Sequence, residues 1–146
     1  MARVLVIEDR QDFRAWARCT LEREGLIVLE ARDGLAGLQR SVEDAPDLVI
    51  VSESLSGFTG VEIAERLASE PATRELPVLV VSERPCAATV RAATMAGAQG
   101  VVARSFRAID LVAPVSESLW ACGVTWMPTV DASSLFCTSC DELTTR

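Results

Sequence analysis

Hydrophobic residues follow two alternating spacings along most of the chain. Short uninterrupted apolar runs, typical of strands buried on both faces of a sheet, alternate with longer stretches in which apolar residues recur at helical spacing. In the second helical stretch, at 34–43, this spacing predicts that Leu35 and Leu38 face the core. Gly25 and Gly97 are expected to end the first and fourth helical stretches, because glycine commonly terminates helices. The predicted strands are 4–7, 26–29, 48–51, 78–81 and 100–103, and the predicted helices are 12–24, 34–43, 61–68, 85–96 and 107–120.

Five strand–helix units in succession predict an α/β domain with a parallel sheet and helices on both of its faces. In such sheets the functional crevice lies beyond the carboxyl ends of the strands. We therefore expect the chemistry of this protein among the polar residues that directly follow the predicted strands. Those residues are Glu8, Asp9, Ser52, Glu53, Ser82, Glu83, Arg104 and Ser105.

Composition narrows the possible chemistry. The 146 residues are 49% hydrophobic, which is enough for one domain with a buried core, and the net charge is −7. So acidic a chain is a poor binder of nucleic acid or of an anionic membrane surface. It contains no Lys and no His, which excludes Schiff-base chemistry and the commonest general base and metal ligand. We therefore predict a protein that is not an enzyme.

Residues 122–146 depart from this pattern. They are rich in Ser and Thr, and we interpret them as a tail or linker after a domain at 1–121. Cys137 and Cys140 form a CxxC, but two thiolates do not complete a tetrahedral zinc site and the chain has no histidine to help. The function of this thiol pair is left open. Four side chains of this segment are too apolar for a fully solvated tail, and we expect them to dock on the domain or on a partner. They are Trp126, Met127, Leu135 and Phe136.

Cysteine usage and the N-terminal segment favour a cytoplasmic location. The 5 cysteines are odd in number and widely spread, unlike a secreted disulfide framework. The apolar run at 4–7 is too short for a signal peptide or a membrane-spanning helix. We therefore expect reduced thiols and no membrane partner.

Several segments, in their order and spacing, resemble the receiver domains of bacterial response regulators over about residues 2–121. The resemblance implies a flavodoxin-like (βα)5 doubly wound parallel sheet with strand order 2-1-3-4-5, here followed by the tail. The segments that carry it are VLVIED at 4–9, DLVIV at 47–51, GFTG at 57–60, PVLVVS at 77–82, GA at 97–98 and RSF at 104–106.

Receivers transfer a phosphoryl group from a partner's phosphohistidine to an Asp that ends the third strand. An acidic pair after the first strand holds Mg²⁺, and a Ser or Thr and a Lys after the fourth and fifth strands contact the phosphoryl oxygens. By resemblance, Glu8 and Asp9 match the acidic pair and Ser82 matches the hydroxyl of the switch. Weak Mg²⁺ binding by Asp9 and Glu8, through waters, is the only cofactor interaction that we expect.

Four positions depart from the family pattern, one of which is Ser105 in place of the usual Pro. Ser52 stands at the phosphoacceptor position, Arg104 replaces the Lys, and Val101 stands where an aromatic switch residue is common. Successive strand side chains point to opposite faces, so Glu53 is expected to point away from the pocket if Ser52 points in. We expect Arg104 to pair with Asp9 or Glu8. The departures indicate an atypical receiver, or pseudo-receiver, that signals by protein–protein interaction without Asp phosphorylation.

The expected partner is another protein or a second copy of the chain, bound through the face made by the fourth helix, fifth strand and fifth helix, with a sensor kinase as a further candidate. Two alternatives remain open. One is a receiver that is phosphorylated on Glu53 or Ser52 with Mg²⁺. The other is a flavodoxin-like cofactor binder, which is disfavoured because Glu8 and Asp9 would repel phosphate where a phosphate-binding loop needs Gly, Ser or Thr donors.

Overall fold

A computed structural model describes residues 2–124, in which strands and helices alternate throughout. The strands form one parallel sheet in the order β2-β1-β3-β4-β5, which confirms the flavodoxin-like (βα)5 fold. The predicted bounds differ from the observed ones by no more than two residues. The elements are β1 Arg3–Ile7, α1 Gln11–Arg23, β2 Ile27–Ala31, α2 Gly34–Glu43, β3 Leu48–Ser52, α3 Gly60–Ser69, β4 Val78–Ser82, α4 Ala87–Met95, β5 Gly100–Ala103 and α5 Ala108–Ala121.

The core has two layers, one on each face of the sheet. Alternate residues of β1 divide between them: Val4 and Val6 pack on the side of α1 and α5, whereas Leu5 and Ile7 pack on the side of α3 and α4. Because both faces of the strand are covered, its residues are apolar without interruption, which explains the short hydrophobic runs in the sequence.

Helix α2 corrects one sequence-based expectation. Leu35 is 67% exposed and Leu38 is only half-buried, whereas the buried positions of the helix include Gly37 and Ser41. A Cβ atom on Gly37 would lie 2.4 Å from Cδ1 of Ile7, so this helix lies too close to β1 for a larger side chain. The small residues therefore face the sheet, and the prediction that Leu35 faces the core is wrong.

The strand register brings the ends of the central strands together. Ile7 pairs with Val51, and Ser52 pairs with Val81. The backbone N–H of Glu8 also donates to the carbonyl of Ala31 (3.0 Å), so β1 keeps its extended path for one more residue. Side chains that follow β1, β3, β4 and β5 are thereby placed around one cleft.

Two sequence-based expectations concern the segment after residue 124 and the membrane. The thiol pair Cys137 and Cys140 and the apolar positions after 124 lie outside the described residues. Within residues 2–124, none of the helices combines the length and the apolar character that crossing a membrane requires.

Candidate functional site

The guanidinium of Arg104 lies at the centre of the cleft. Its Nη1 and Nη2 donate two parallel hydrogen bonds to Oε1 and Oε2 of Glu8, at 2.9 and 3.1 Å. Nη2 also lies 2.6 Å from Oγ of Ser52. The side chains of Arg104 and Glu8 are only 8% and 1% exposed. One cation therefore links the ends of β1, β3 and β5, and the expected pairing of Arg104 with an acid of the β1 end is made with Glu8.

The contacts of Arg104 are specific to a planar guanidinium. Its Cζ lies 5.0 Å from the centre of the Phe13 ring, within the range of a cation–π contact. A Lys ammonium is a compact point charge, which cannot donate the parallel pair of bonds that Glu8 receives. The buried Nε has no hydrogen-bond partner, and Oε1 of Glu83 is 3.9 Å away from it.

Glu8 is held by two further arginines. Its Oε1 accepts from the backbone N–H of Arg10 at 3.2 Å, and Nη1 of Arg14 donates to its backbone carbonyl at 2.7 Å. Arg14 is 8% exposed, and it was missed by the sequence analysis. The available signal was its helical spacing, because Arg14 shares one face of α1 with the buried Ala17 and Leu21.

Ser52 and Glu53 direct their polar atoms to different partners. Oγ of Ser52 contacts Arg104 and donates to the carbonyl of Ser54 at 3.3 Å. The Glu53 carboxylate instead accepts from Oγ1 of Thr89 in α4, at 3.4 Å. Both residues line the same cleft, but only Ser52 contacts the central cation. The opposite directions agree with the alternation of side chains along a strand.

The two switch-equivalent positions lie at neighbouring strands. Ser82 is buried at the end of β4, where its Oγ accepts from the backbone N–H of Arg84 at 3.2 Å. Val101 is half-buried in β5 and packs against the core layer on the side of α3 and α4. The switch position in β5, where an aromatic residue is common in the family, thus holds a short aliphatic side chain.

Charged side chains surround the mouth of the cleft. Arg10 links the first turn of α1 to the segment after β4 by pairing with Asp12 at 2.9 Å and with Glu83 at 3.1 Å. The hydrogen bond to Asp12 is the largest cause that raises the pKa of Arg10 above its ordinary value, and the charges of Glu83 and Glu8 add to it. Asp9 is exposed at the mouth. The cleft is lined by Asp9, Arg10, Ser52, Glu53, Ser54, Val81, Glu83, Arg84 and Arg104.

The residues of the cleft do not fit Mg²⁺. Mg²⁺ needs near-octahedral oxygen ligands, whereas both carboxylate oxygens of Glu8 accept from Arg104 and position 52 offers a hydroxyl. Within residues 2–124, the His, Cys, Asp and Glu side chains form no group of three or more that suits a metal ion. A divalent cation bound between Glu8 and Ser52 would also meet the positive charge of Arg104.

The fold and the cleft together define a class of protein. A five-stranded parallel sheet in this order, with acidic side chains after β1, a hydroxyl at the last residue of β4 and a cation after β5, is the framework of a receiver-type α/β domain. A protein-family model described as the response regulator receiver domain matches residues 4–116. The chain belongs to this family, whose members act in two-component signal transduction.

Curated relatives and solved structures agree with that assignment. The transcriptional regulatory protein CseB of Streptomyces coelicolor is 33% identical over 116 residues, which cover 80% of this chain and 48% of that protein. The KDP operon transcriptional regulatory protein KdpE of Escherichia coli is 33% identical, with 82% of this chain and 52% of that protein covered. A putative response regulator from Chloroflexus aurantiacus superposes with a TM-score of 0.77 at 26% identity, covering 82% of this chain and 98% of that chain. The chain spans about half the length of the curated relatives it matches.

Proposed function

We propose that this receiver domain signals through protein contacts, has no catalytic activity of its own, and does not accept a phosphoryl group at the end of β3. The observation that carries the proposal is the placement of the Arg104 guanidinium, which binds Glu8 and Ser52 at once. Glu8 would hold the metal and Arg104 would contact the incoming phosphoryl group, but these two side chains are bound to each other instead.

The chemistry of Ser52 supports this proposal. A hydroxyl cannot form the acyl phosphate that the family makes on Asp, and a serine nucleophile needs a nearby base to remove its proton. The chain has no His and no Lys, and the nearest carboxylate in this network, Glu8, already accepts from Arg104. Ser52 is also 1% exposed, so a phosphodonor reaches it only if the cleft opens.

The position of Arg104 supports a domain without a bound metal. The guanidinium supplies one positive charge beside Glu8, and a bound divalent cation would have to displace it from two hydrogen bonds. We therefore assign Arg104 the electrostatic role of an internal cation, which stabilises the buried carboxylate and keeps the cleft in one state.

The proposed contact face lies at the edge of the sheet formed by β5. This strand pairs only with β4 in the described sheet, and α4 and α5 flank it. Met95 on α4 is 82% exposed, Trp120 on α5 is 69% exposed, and Val90 on α4 is 44% exposed. Large apolar side chains on a surface favour protein contacts. The partner that we propose is another protein, for example a sensor kinase, or a second copy of this chain.

The test is the intact mass of the protein after incubation with Mg²⁺ and acetyl phosphate. We expect no added phosphoryl group on the natural chain. The matched control is the double variant Ser52→Asp with Arg104→Lys, which restores a carboxylate acceptor and frees Glu8. We expect this variant to gain one phosphoryl group, which would show that the assay detects a working cleft on the same fold.

A phosphoryl group on the natural chain would contradict the proposal. Glu53 is the acceptor that such a result would favour first, because its carboxylate lines the cleft. Loss of the added mass in Glu53→Gln would then identify Glu53, and loss in Ser52→Ala would identify the hydroxyl.

A further inference from the structure

One nitrogen of the Arg104 guanidinium lacks an acceptor. Its Nε is buried and forms no hydrogen bond, whereas Nη1 and Nη2 are bound by Glu8 and Ser52. A buried donor without a partner is unfavourable, because it has lost its hydrogen bonds to water and gained none in the protein. Most buried donors in folded proteins have an acceptor, so the surroundings of this nitrogen were searched for one.

The acceptor within reach is the carboxylate of Glu83. Its Oε1 lies 3.9 Å from Nε of Arg104, about 1 Å beyond an ordinary N–H···O hydrogen bond. Within residues 2–124, the carboxylates at salt-bridge distance from Arg104 are those of Glu8 and Glu83, and both oxygens of Glu8 are already bound. Asp9 and Glu53 also line the cleft, but neither comes within this distance of Arg104.

A second cation holds Glu83 at the mouth of the cleft. Nη1 of Arg10 donates to the same oxygen, Oε1 of Glu83, at 3.1 Å. The side chains of Arg10 and Glu83 are 46% and 67% exposed, so water and salt screen this pair. The side chain of Arg104 is 8% exposed, and an ion pair with it is screened less. One carboxylate oxygen thus lies between an exposed cation and a buried one.

The backbone on both sides of Glu83 is fixed, so its side chain alone has to move. The carbonyl of Ser82 accepts from the N–H of Arg104 at 2.8 Å, and Oγ of Ser82 accepts from the N–H of Arg84 at 3.2 Å. The cleft encloses about 500 Å³, which leaves room for a carboxylate to turn inwards. Rotation about side-chain bonds, which exposed residues make readily, is enough to bring Glu83 to Arg104.

We propose that Glu83 is a lid on the cleft, which leaves Arg10, accepts from Nε of Arg104 and thereby closes the mouth. This inference rests on the proposed role of Arg104 as an internal cation. The bonds of Arg104 to Glu8 and Ser52 are the same in both positions of the lid, so the floor of the cleft keeps one state while its mouth opens and closes. Access to Ser52 depends on which cation Glu83 contacts.

Solvent exchange of the Arg104 Nε–H, followed by NMR in the isotope-labelled full chain, tests the contact. Arg104→Lys identifies the signal by its absence. Arg10→Met keeps an unbranched side chain but removes the competing cation, so we expect exchange to be about threefold slower, on the scale of an exposed ion pair. The reason is that a hydrogen-bonded proton exchanges only when its bond opens. Glu83→Ala removes the acceptor, and we expect it to accelerate exchange.

A double variant separates this contact from a mere change in local charge. Arg10→Met combined with Glu83→Ala should exchange at the rate of Glu83→Ala alone, because Arg10 acts through Glu83. Arg18→Met is the matched control, since Arg18 also pairs with two carboxylates on the surface, and we expect it to behave like the natural chain. Unchanged exchange in Arg10→Met would overturn the proposal, as would equal slowing with and without Glu83.

Closure of the mouth is measured separately, with the thiol introduced by Ser52→Cys. Peptide mass spectrometry follows its labelling by iodoacetamide apart from that of the natural cysteines, and circular dichroism confirms that each variant is folded. Relative to Ser52→Cys alone, we expect added Arg10→Met to slow labelling and added Glu83→Ala to accelerate it. Acceleration by both changes would overturn the lid, because the pair of Arg10 with Glu83 would then itself close the cleft.

These measurements are independent of the test for the proposed function. Neither of them involves a phosphoryl group. A natural chain that gains no phosphoryl mass, together with unchanged Nε–H exchange in Arg10→Met, would reject the lid and leave the proposed function standing. Added phosphoryl mass on the natural chain would reject the proposed function, whatever the position of Glu83.

Discussion

Replacing Arg104 with Met tests how much the central cation stabilises the fold. The Met side chain keeps an unbranched apolar stem over Phe13 but removes the guanidinium. Glu8, which is 1% exposed beside Arg104, would then keep only the backbone N–H of Arg10 as a donor to its carboxylate. Breaking a buried ion pair by removing one partner costs about 3–5 kcal/mol. We expect that loss in the free energy of unfolding, which is a large part of the roughly 5–15 kcal/mol of an ordinary domain.

Urea unfolding followed by circular dichroism measures this loss. The matched control is Arg18→Met on α1, because Arg18 also pairs with two carboxylates, those of Glu22 and Glu30. Its side chain is 51% exposed, so solvent screens the pairs and we expect a change of about 0–1 kcal/mol. The two arginines thus differ mainly in burial.

A double-mutant cycle separates the ion pair from the loss of packing. Glu8→Gln combined with Arg104→Met removes the stranded charge, and we expect the pair to be more stable than the sum of the single changes by about 2 kcal/mol, within the range for groups in direct contact. If Arg104→Met loses no more stability than Arg18→Met, the guanidinium does not hold Glu8 in solution, and the proposed internal cation is refuted.

Two further predictions concern a helix contact and a thiol. Gly37→Ala should lower the free energy of unfolding by about 1–3 kcal/mol because the new methyl group meets Ile7. In the control variant Gly100→Ala the Cβ would be 3.8 Å from its nearest neighbour, so we expect a change of no more than about 0.5 kcal/mol. Equal losses of the two variants in urea unfolding would contradict the packing argument. The side-chain hydrogen bond with Thr89 is the largest cause that lowers the pKa of the Cys86 thiol, so we expect its alkylation by iodoacetamide to have a midpoint at lower pH than that of an ordinary thiol. Thr89→Val should raise that midpoint and slow the reaction at neutral pH, while the alkylation of Cys19 stays unchanged. An unmoved midpoint would show that Thr89 does not set the pKa of Cys86.

The periodicity of the sequence predicted the elements well for a local reason. Fully buried strands must be apolar on both faces, and helices on a sheet must repeat their apolar residues at helical spacing, so both patterns are visible without knowledge of the partners. The cleft was also predictable in outline. Parallel strands end at one edge of the sheet, which brings Glu8, Ser52 and Arg104 together once the strands are assigned.

Packing decided the details that the pattern left open. Helical spacing predicted a core position for Leu35, but it cannot show that Gly37 brings α2 against Ile7 and turns that leucine outward. The spacing also could not distinguish an apolar contact from the buried guanidinium of Arg14, which is satisfied by a carbonyl at the end of β1. Such contacts depend on distances between elements that are remote in sequence.

The sequence by itself determined the receiver fold, the edge of the sheet where its chemistry lies, and the absence of a carboxylate at position 52. These features follow from periodicity and residue identity, which are local properties of the chain. Only the tertiary structure decided that Glu8 rather than Asp9 binds Arg104. The extension of β1 by one residue, held by the bond from Glu8 to Ala31, buries the Glu8 side chain at the cation and leaves Asp9 in solvent.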